Sequence, residues 1–166
     1  VTTSAATPPV DSFLAPVHHA NIILKSLSNE QYDAIPPGPF NSSIGEHIRH
    51  ILDHYQALML GLGAAYIDYN QRARHSSVES DLSMALTYWE QVSEWLANLS
   101  EQEHEKKLKV VTEHNTVWST LGRELSFVSS HAIHHFAFIK QLAAAFAVSL
   151  PSHVGVAPAT LKSQQA

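Results

Sequence analysis

The sequence contains no cysteine among its 166 residues, which excludes disulfides, cysteine-based zinc knuckles and a cysteine nucleophile. Basic residues are also scarce. Ten Lys and Arg stand against fifteen Asp and Glu, a formal charge of -5, which argues against nucleic acid or an anionic membrane as the main partner. No apolar run approaches the roughly 18 residues needed to cross a bilayer. Residues 1–9 have neither the basic start nor the apolar stretch of a secretory signal. A loose tail over residues 1–10 and a cytoplasmic location are therefore the expectation. What the sequence has in excess is histidine: twelve, more than all Lys and Arg together.

An apolar share of 45% at this length suits one hydrophobic core and a single domain, expected over residues 11–150. Phe13, Val17, Ala20, Leu24 and Leu27 recur at steps of three and four, the mark of a helix with one buried stripe. Ile35-Pro36-Pro37-Gly38-Pro39 then forbids helix. Ser43-Ile44-Gly45-Glu46 reads as a capping box opening a second helix, with Ile44, Ile48, Ile51, Tyr55, Leu58 and Leu62 on its stripe. A polar connection follows over residues 64–77. A third helix carries Leu82, Leu86, Trp89, Val92 and Leu96, and the pattern breaks over residues 101–119. There Lys107-Leu108-Lys109-Val110-Val111 has the character of a short extended piece. A long fourth helix begins near Ser119 or Thr120 and bears Leu121, Leu125, Val128, Ala132, Ile139, Leu142 and Phe146. Pro151 ends it, leaving residues 151–166 as a tail. Four amphipathic helices with short to medium links point to an all-α four-helix bundle.

The histidines fall on this pattern in two groups. His131 and His135 are four apart and lie within the apolar arc of the fourth helix, so both imidazoles face inward one turn apart. Such a pair can share one divalent ion through bonds of about 2.1 Å, although two core histidines, each satisfied by a hydrogen bond, have the same spacing. His47, His50 and His54 lie along one flank of the second helix. One of them would complete a three-His site with open positions, the arrangement of a catalytic metal. The helical wheel puts His47 and His54 nearer the apolar centre than His50, and a solvated polar stripe remains the plain alternative. The lone Glu-x-x-His sequence, Glu101 to His104, lies in a charged linker, so a paired di-iron arrangement is not expected and a single ion is.

Two stretches, Ser43 through Tyr55 (SIGEHIRHILDHY) and Ser130 through Phe136 (SHAIHHF), resemble the DinB-like (DinB/YfiT) family of metal-dependent enzymes. The likeness extends to the Leu27-Ser28-Asn29-Glu30-Gln31-Tyr32 segment and to Ser119-Thr120-Leu121-Gly122-Arg123-Glu124-Leu125. The resemblance implies an up-down-down-up bundle with a divalent metal on three histidines. Its register implies His50, five residues after Gly45, together with His131 and His135, with His54 or His47 as replacements for His50. It also implies chemistry: relatives of this kind include thiol-dependent S-transferases.

The expected function is metal-assisted transfer of a low-molecular-weight thiol to an electrophilic small molecule. The alternatives are metal-dependent hydrolysis through an activated water, and metal binding without catalysis. With no cysteine in the chain, a thiolate would have to come from a co-substrate. Arg72 and Arg74 are candidates to hold its anionic group. Zn, Ni, Fe and Mn all suit three imidazoles. Metal affinity is expected to fall below about pH 6, near the ordinary His pKa. A homodimer is a further expectation that the resemblance brings. Among the supporting residues, Asp53 is read as an acceptor orienting an imidazole, Arg123 and Glu124 as a structural pair, and Trp89, Trp95 and Trp118 as packing.

Overall fold

Four apolar stripes close on one another in the structure, a computed structural model that describes residues 11–71 and 76–164. Arg72 and Arg74 lie outside the described residues. The bundle is made by α1 (Asp11–Lys25), α3 (Ile44–Gly61), α4 (Leu82–Asn98) and α5 (Leu121–Ala145); a short α2 (Asn29–Asp33) and a terminal α6 (Pro158–Gln164) are added to it. α1 packs against α4 and α5, and α3 packs against the same two. The expected stripes meet at the centre, where Leu24, Ile48, Ile51, Trp89, Val128 and Phe136 are fully buried. Each such side chain contributes about 1.5–3 kcal/mol on leaving water.

The helix starts follow from local chemistry. Ser43 accepts from the Glu46 N–H while the Glu46 carboxylate accepts from the Ser43 N–H at 2.7 Å, the reciprocal box that the sequence predicts. A second box at Ser28 and Gln31 makes α2 a separate helix and not the end of α1. Gly45 lets α3 approach the Ser77–Glu79 turn, because a Cβ there would run into the Glu79 carbonyl oxygen. The same contact brings Glu79 to Arg49, whose Nε is 2.6 Å from the Glu79 carboxylate.

A small sheet corrects the strictly all-α expectation. β2 (Lys107–Val111) is the extended piece anticipated from sequence, and β3 (Thr116–Thr120) pairs with it antiparallel, Lys107 opposite Thr120 and Lys109 opposite Trp118. β1 (Tyr66–Asp68) joins the other edge in parallel, Ile67 opposite Val110. Ile67, Leu108 and Val110 are buried against the bundle, which is why the alternating Leu108/Val110 pattern is present at all. β3 runs directly into α5, and Thr120 caps that helix by accepting from the Arg123 N–H. The sheet is thereby fixed at the first turn of the helix that carries His131 and His135.

The segment after α5 is held to the bundle. Lys140 Nζ donates to the Pro151 and Ser152 carbonyls, both at 3.0 Å, and Val154 is buried. Gly155 has φ +75 and lies so close to Ala137 that a Cβ would come within 2.5 Å of its backbone.

Candidate metal centre

α3 and α5 lie side by side, and each carries histidines at steps of three and four toward the groove between them. Ring nitrogens of His50, His131 and His135 all lie within 4.8 Å of one another, and all three side chains are half-buried. The ring centroids are separated by 5.0 Å (His50–His131), 4.8 Å (His50–His135) and 4.6 Å (His131–His135). His50 Nε2 and His131 Nε2 are 3.0 Å apart. Two nitrogens bound to one ion through bonds of about 2.1 Å stand roughly 3.0–3.4 Å from each other at angles between 90° and tetrahedral. The His50–His131 pair has this spacing, and three imidazoles gathered within 4.8 Å are a donor set that suits a divalent metal.

The remaining histidines divide by role. His47 Nδ1 is 3.1 Å from His135 Nδ1, and its Nε2 is 2.9 Å from the Ser42 hydroxyl. His54 is buried, and its Nδ1–H donates to the His50 carbonyl at 2.8 Å. Its ring lies 4.3 Å from that of His131 and stacks on Tyr69. His134 is exposed. The wheel's preference for His47 and His54 is thus not what the geometry follows. The wheel's centre points at the bundle axis, whereas the three converging rings meet in the groove between two helices, which a flank position faces.

Burial holds His135 well below the ordinary imidazole range, at about 4, with His47, His134 and His54 adding to the effect. His47 is lowered too, first by burial and then by Arg49, against the opposing charge of Glu46. A neutral imidazole is the ligating form, and burial favours that form at His135.

Beside the triad lies a cavity of about 540 Å³ whose walls include His54, Tyr69, Trp118, Arg123, Glu124 and Phe127. Its floor is organised by Glu124, buried on the stripe between Leu121 and Val128. Its carboxylate accepts from the Tyr69 hydroxyl at 2.8 Å, the Ser119 hydroxyl at 2.6 Å and the Arg123 guanidinium at 2.9 Å. Burial, with the Glu124 charge adding to it, pushes the Tyr69 phenol far above its usual range, so Tyr69 stays a protonated donor. The Arg123–Glu124 pair was legible in sequence; the cavity around it was not, though an acid on an apolar stripe is the signal that could have found it. Asp53, expected to accept from an imidazole, accepts from Arg49 at 2.8 Å. Trp89 is core, but Trp118 is 71% exposed and is among the residues that line the cavity, contrary to a packing role.

The model of the DinB superfamily matches residues 18–139, a span that takes in α3, most of α5 and all three histidines of the triad. The chain belongs to the DinB superfamily. A DinB-like protein of Bacillus subtilis, YjoA, is 19% identical with a TM-score of 0.64, over 87% of this chain and 96% of that one. YfiT of Bacillus subtilis, described as a probable metal-dependent hydrolase with an unusual four-helix bundle topology, is 15% identical with a TM-score of 0.63, over 90% of this chain and 94% of that one. Both likenesses show the fold. A 44-residue stretch is 52% identical to FK506-binding protein 5 of Rhizopus delemar, covering 26% of this DinB-superfamily chain and 11% of that protein. Among the described residues, no helix of this DinB-superfamily member is long and apolar enough to cross a membrane.

Proposed function

We propose that this chain is a metal-dependent enzyme acting on a small molecule, with the ion held by His50, His131 and His135 and water as the nucleophile. The observation that carries the reading is the convergence of three imidazoles from two helices within 4.8 Å, next to a cavity of substrate size. A divalent ion held by three neutral ligands keeps its charge, lowers the pKa of a neighbouring water or thiol and polarises a carbonyl. The protein's own groups supply the rest. His135 presents a lone pair at neutral pH because its burial disfavours the charged form. His54, tied through Nδ1–H to the His50 carbonyl and stacked on Tyr69, forms the partition between triad and cavity. Glu124 holds Tyr69, Ser119 and Arg123 in place around the cavity floor. We take the helices to run up-down-down-up, an arrangement consistent with α1 and α3 each packing on α4 and α5.

A second reading, transfer of a low-molecular-weight thiol, is favoured by one feature: the Arg123 side chain is 66% exposed at the cavity, where it can meet a carboxylate of a co-substrate. The two readings separate in one assay. Metal-loaded protein is offered a panel of neutral esters and amides with and without added thiol. Turnover without thiol, lost in His131→Ala, is the expected result. Turnover that requires thiol would favour the transferase reading, and no turnover in either arm would count against both.

A further inference from the structure

We propose that the cavity beside the triad receives a planar, apolar group of its ligand, an aromatic ring or fused ring pair. This rests on the reading above for its role in catalysis, but its own evidence is the composition of the walls. Three apolar residues that the fold leaves in water are among those lining this cavity: Trp118 (71% exposed), Val117 (41%) and Phe127 (36%). An indole presents a flat apolar face of large area, and its exposure forgoes the burial that would otherwise stabilise the fold. The positions are held. Trp118 sits opposite Lys109 across the β2–β3 pair, with the ammonium 6.0 Å from the ring centre. Phe127 is set edge-to-face against Tyr69 at 5.4 Å, with the Arg123 guanidinium 5.6 Å from its ring.

The polar atoms of the floor are already engaged. Glu124 has three donors, and the Tyr69 hydroxyl is spent on it. What these walls offer a ligand is therefore mainly ring faces, with Arg123 at the edge. Ring faces reward flat partners through offset and edge-to-face contacts that a non-planar molecule of equal size cannot make. A volume of about 540 Å³ accommodates a fused ring pair.

The test is calorimetric titration of the full chain with 2-naphthol, which is planar and neutral and carries no bond to hydrolyse, beside decahydro-2-naphthol, its saturated non-planar counterpart of equal carbon number. Binding of 2-naphthol at one site, at least about tenfold tighter than decahydro-2-naphthol, is expected. Trp118→Leu, which keeps apolar bulk at an exposed position but removes the ring, should weaken 2-naphthol roughly tenfold and leave decahydro-2-naphthol unchanged. The same titration in His131→Ala/His135→Ala should retain 2-naphthol binding, so the cavity and the metal reading are judged separately. Equal affinity for the two probes, or 2-naphthol affinity unaltered by Trp118→Leu, would overturn the proposal while leaving the metal reading untouched.

Discussion

His50 Nε2 and His131 Nε2 stand 3.0 Å apart although 81 residues separate them in the chain. Without an ion, one ring as the Nε2–H tautomer donates to the other; with an ion between them, both nitrogens turn lone pairs on the cation. A ligand that binds only the folded chain stabilises it by about 4 kcal/mol at a thousandfold excess over its Kd. Adding Zn²⁺ should therefore raise Tm by on the order of 10 °C in the parent protein. His50→Ala should abolish most of that rise, as read by differential scanning calorimetry.

Acid should destabilise the fold through His19. This side chain is 4% exposed, and burial, with His153 and His18 nearby, lowers its pKa to about 4. Because the folded value lies below the unfolded one of 6.5, the unfolded chain takes up the proton first. Stability from this source is complete above pH 6.5, is lost as pH falls, and levels off near pH 4, for a total of roughly 3 kcal/mol. His135 acts in the same direction. Urea unfolding at pH 7, 5 and 4 should show the loss, and His19→Phe, which keeps a ring against Phe136, should flatten the profile.

Gly45→Ala should destabilise sharply. The new methyl would occupy the position of the Glu79 carbonyl oxygen, which is backbone and cannot swing away. A displacement of the Ser77–Glu79 turn would follow, at a cost of about 1–3 kcal/mol or more. Denaturant midpoints of the two proteins measure it, and the Arg49–Glu79 ion pair should be lost with the shift.

Glu124→Gln should cost more than its small change in shape suggests. An amide presents one oxygen where the carboxylate now accepts from Tyr69, Ser119 and Arg123. At least one donor is left facing an NH₂ group in a buried site, worth about 1–3 kcal/mol. Equilibrium unfolding should report the loss, while metal content should be unchanged, since Glu124 is not among the three converging residues.

The bundle was legible because its information is local: the Ser43–Glu46 box forms as predicted and most of the four stripes is buried, with Leu62, Leu82, Leu86 and Phe146 only partly so. The sheet was only half legible. β2 shows its alternation in Leu108 and Val110, but β1 is three residues long and is defined by pairing with a strand about 40 positions away, which periodicity cannot register. The triad shows the same limit. Spacing found His131 and His135, yet the wheel set His47 and His54 ahead of His50, because a wheel describes one helix against an average core and not against a neighbouring groove. The family register named His50, and His50 is the residue that the structure brings to the other two. His18 and His19 lie more than 130 positions from His153, a separation periodicity cannot bridge, but their rings gather where the segment after α5 returns to α1. Arg72 and Arg74, expected near an anionic co-substrate, fall outside the described residues.

Metal content of protein purified without a histidine tag, measured by elemental analysis in the parent and in His50→Ala, bears most directly on whether these imidazoles act together. The account predicts about one divalent ion per chain in the parent and close to none in His50→Ala, with helix content by circular dichroism unchanged in both. Equal metal in the two proteins, or none in the parent after incubation with Zn²⁺, Ni²⁺, Fe²⁺ or Mn²⁺, would contradict it.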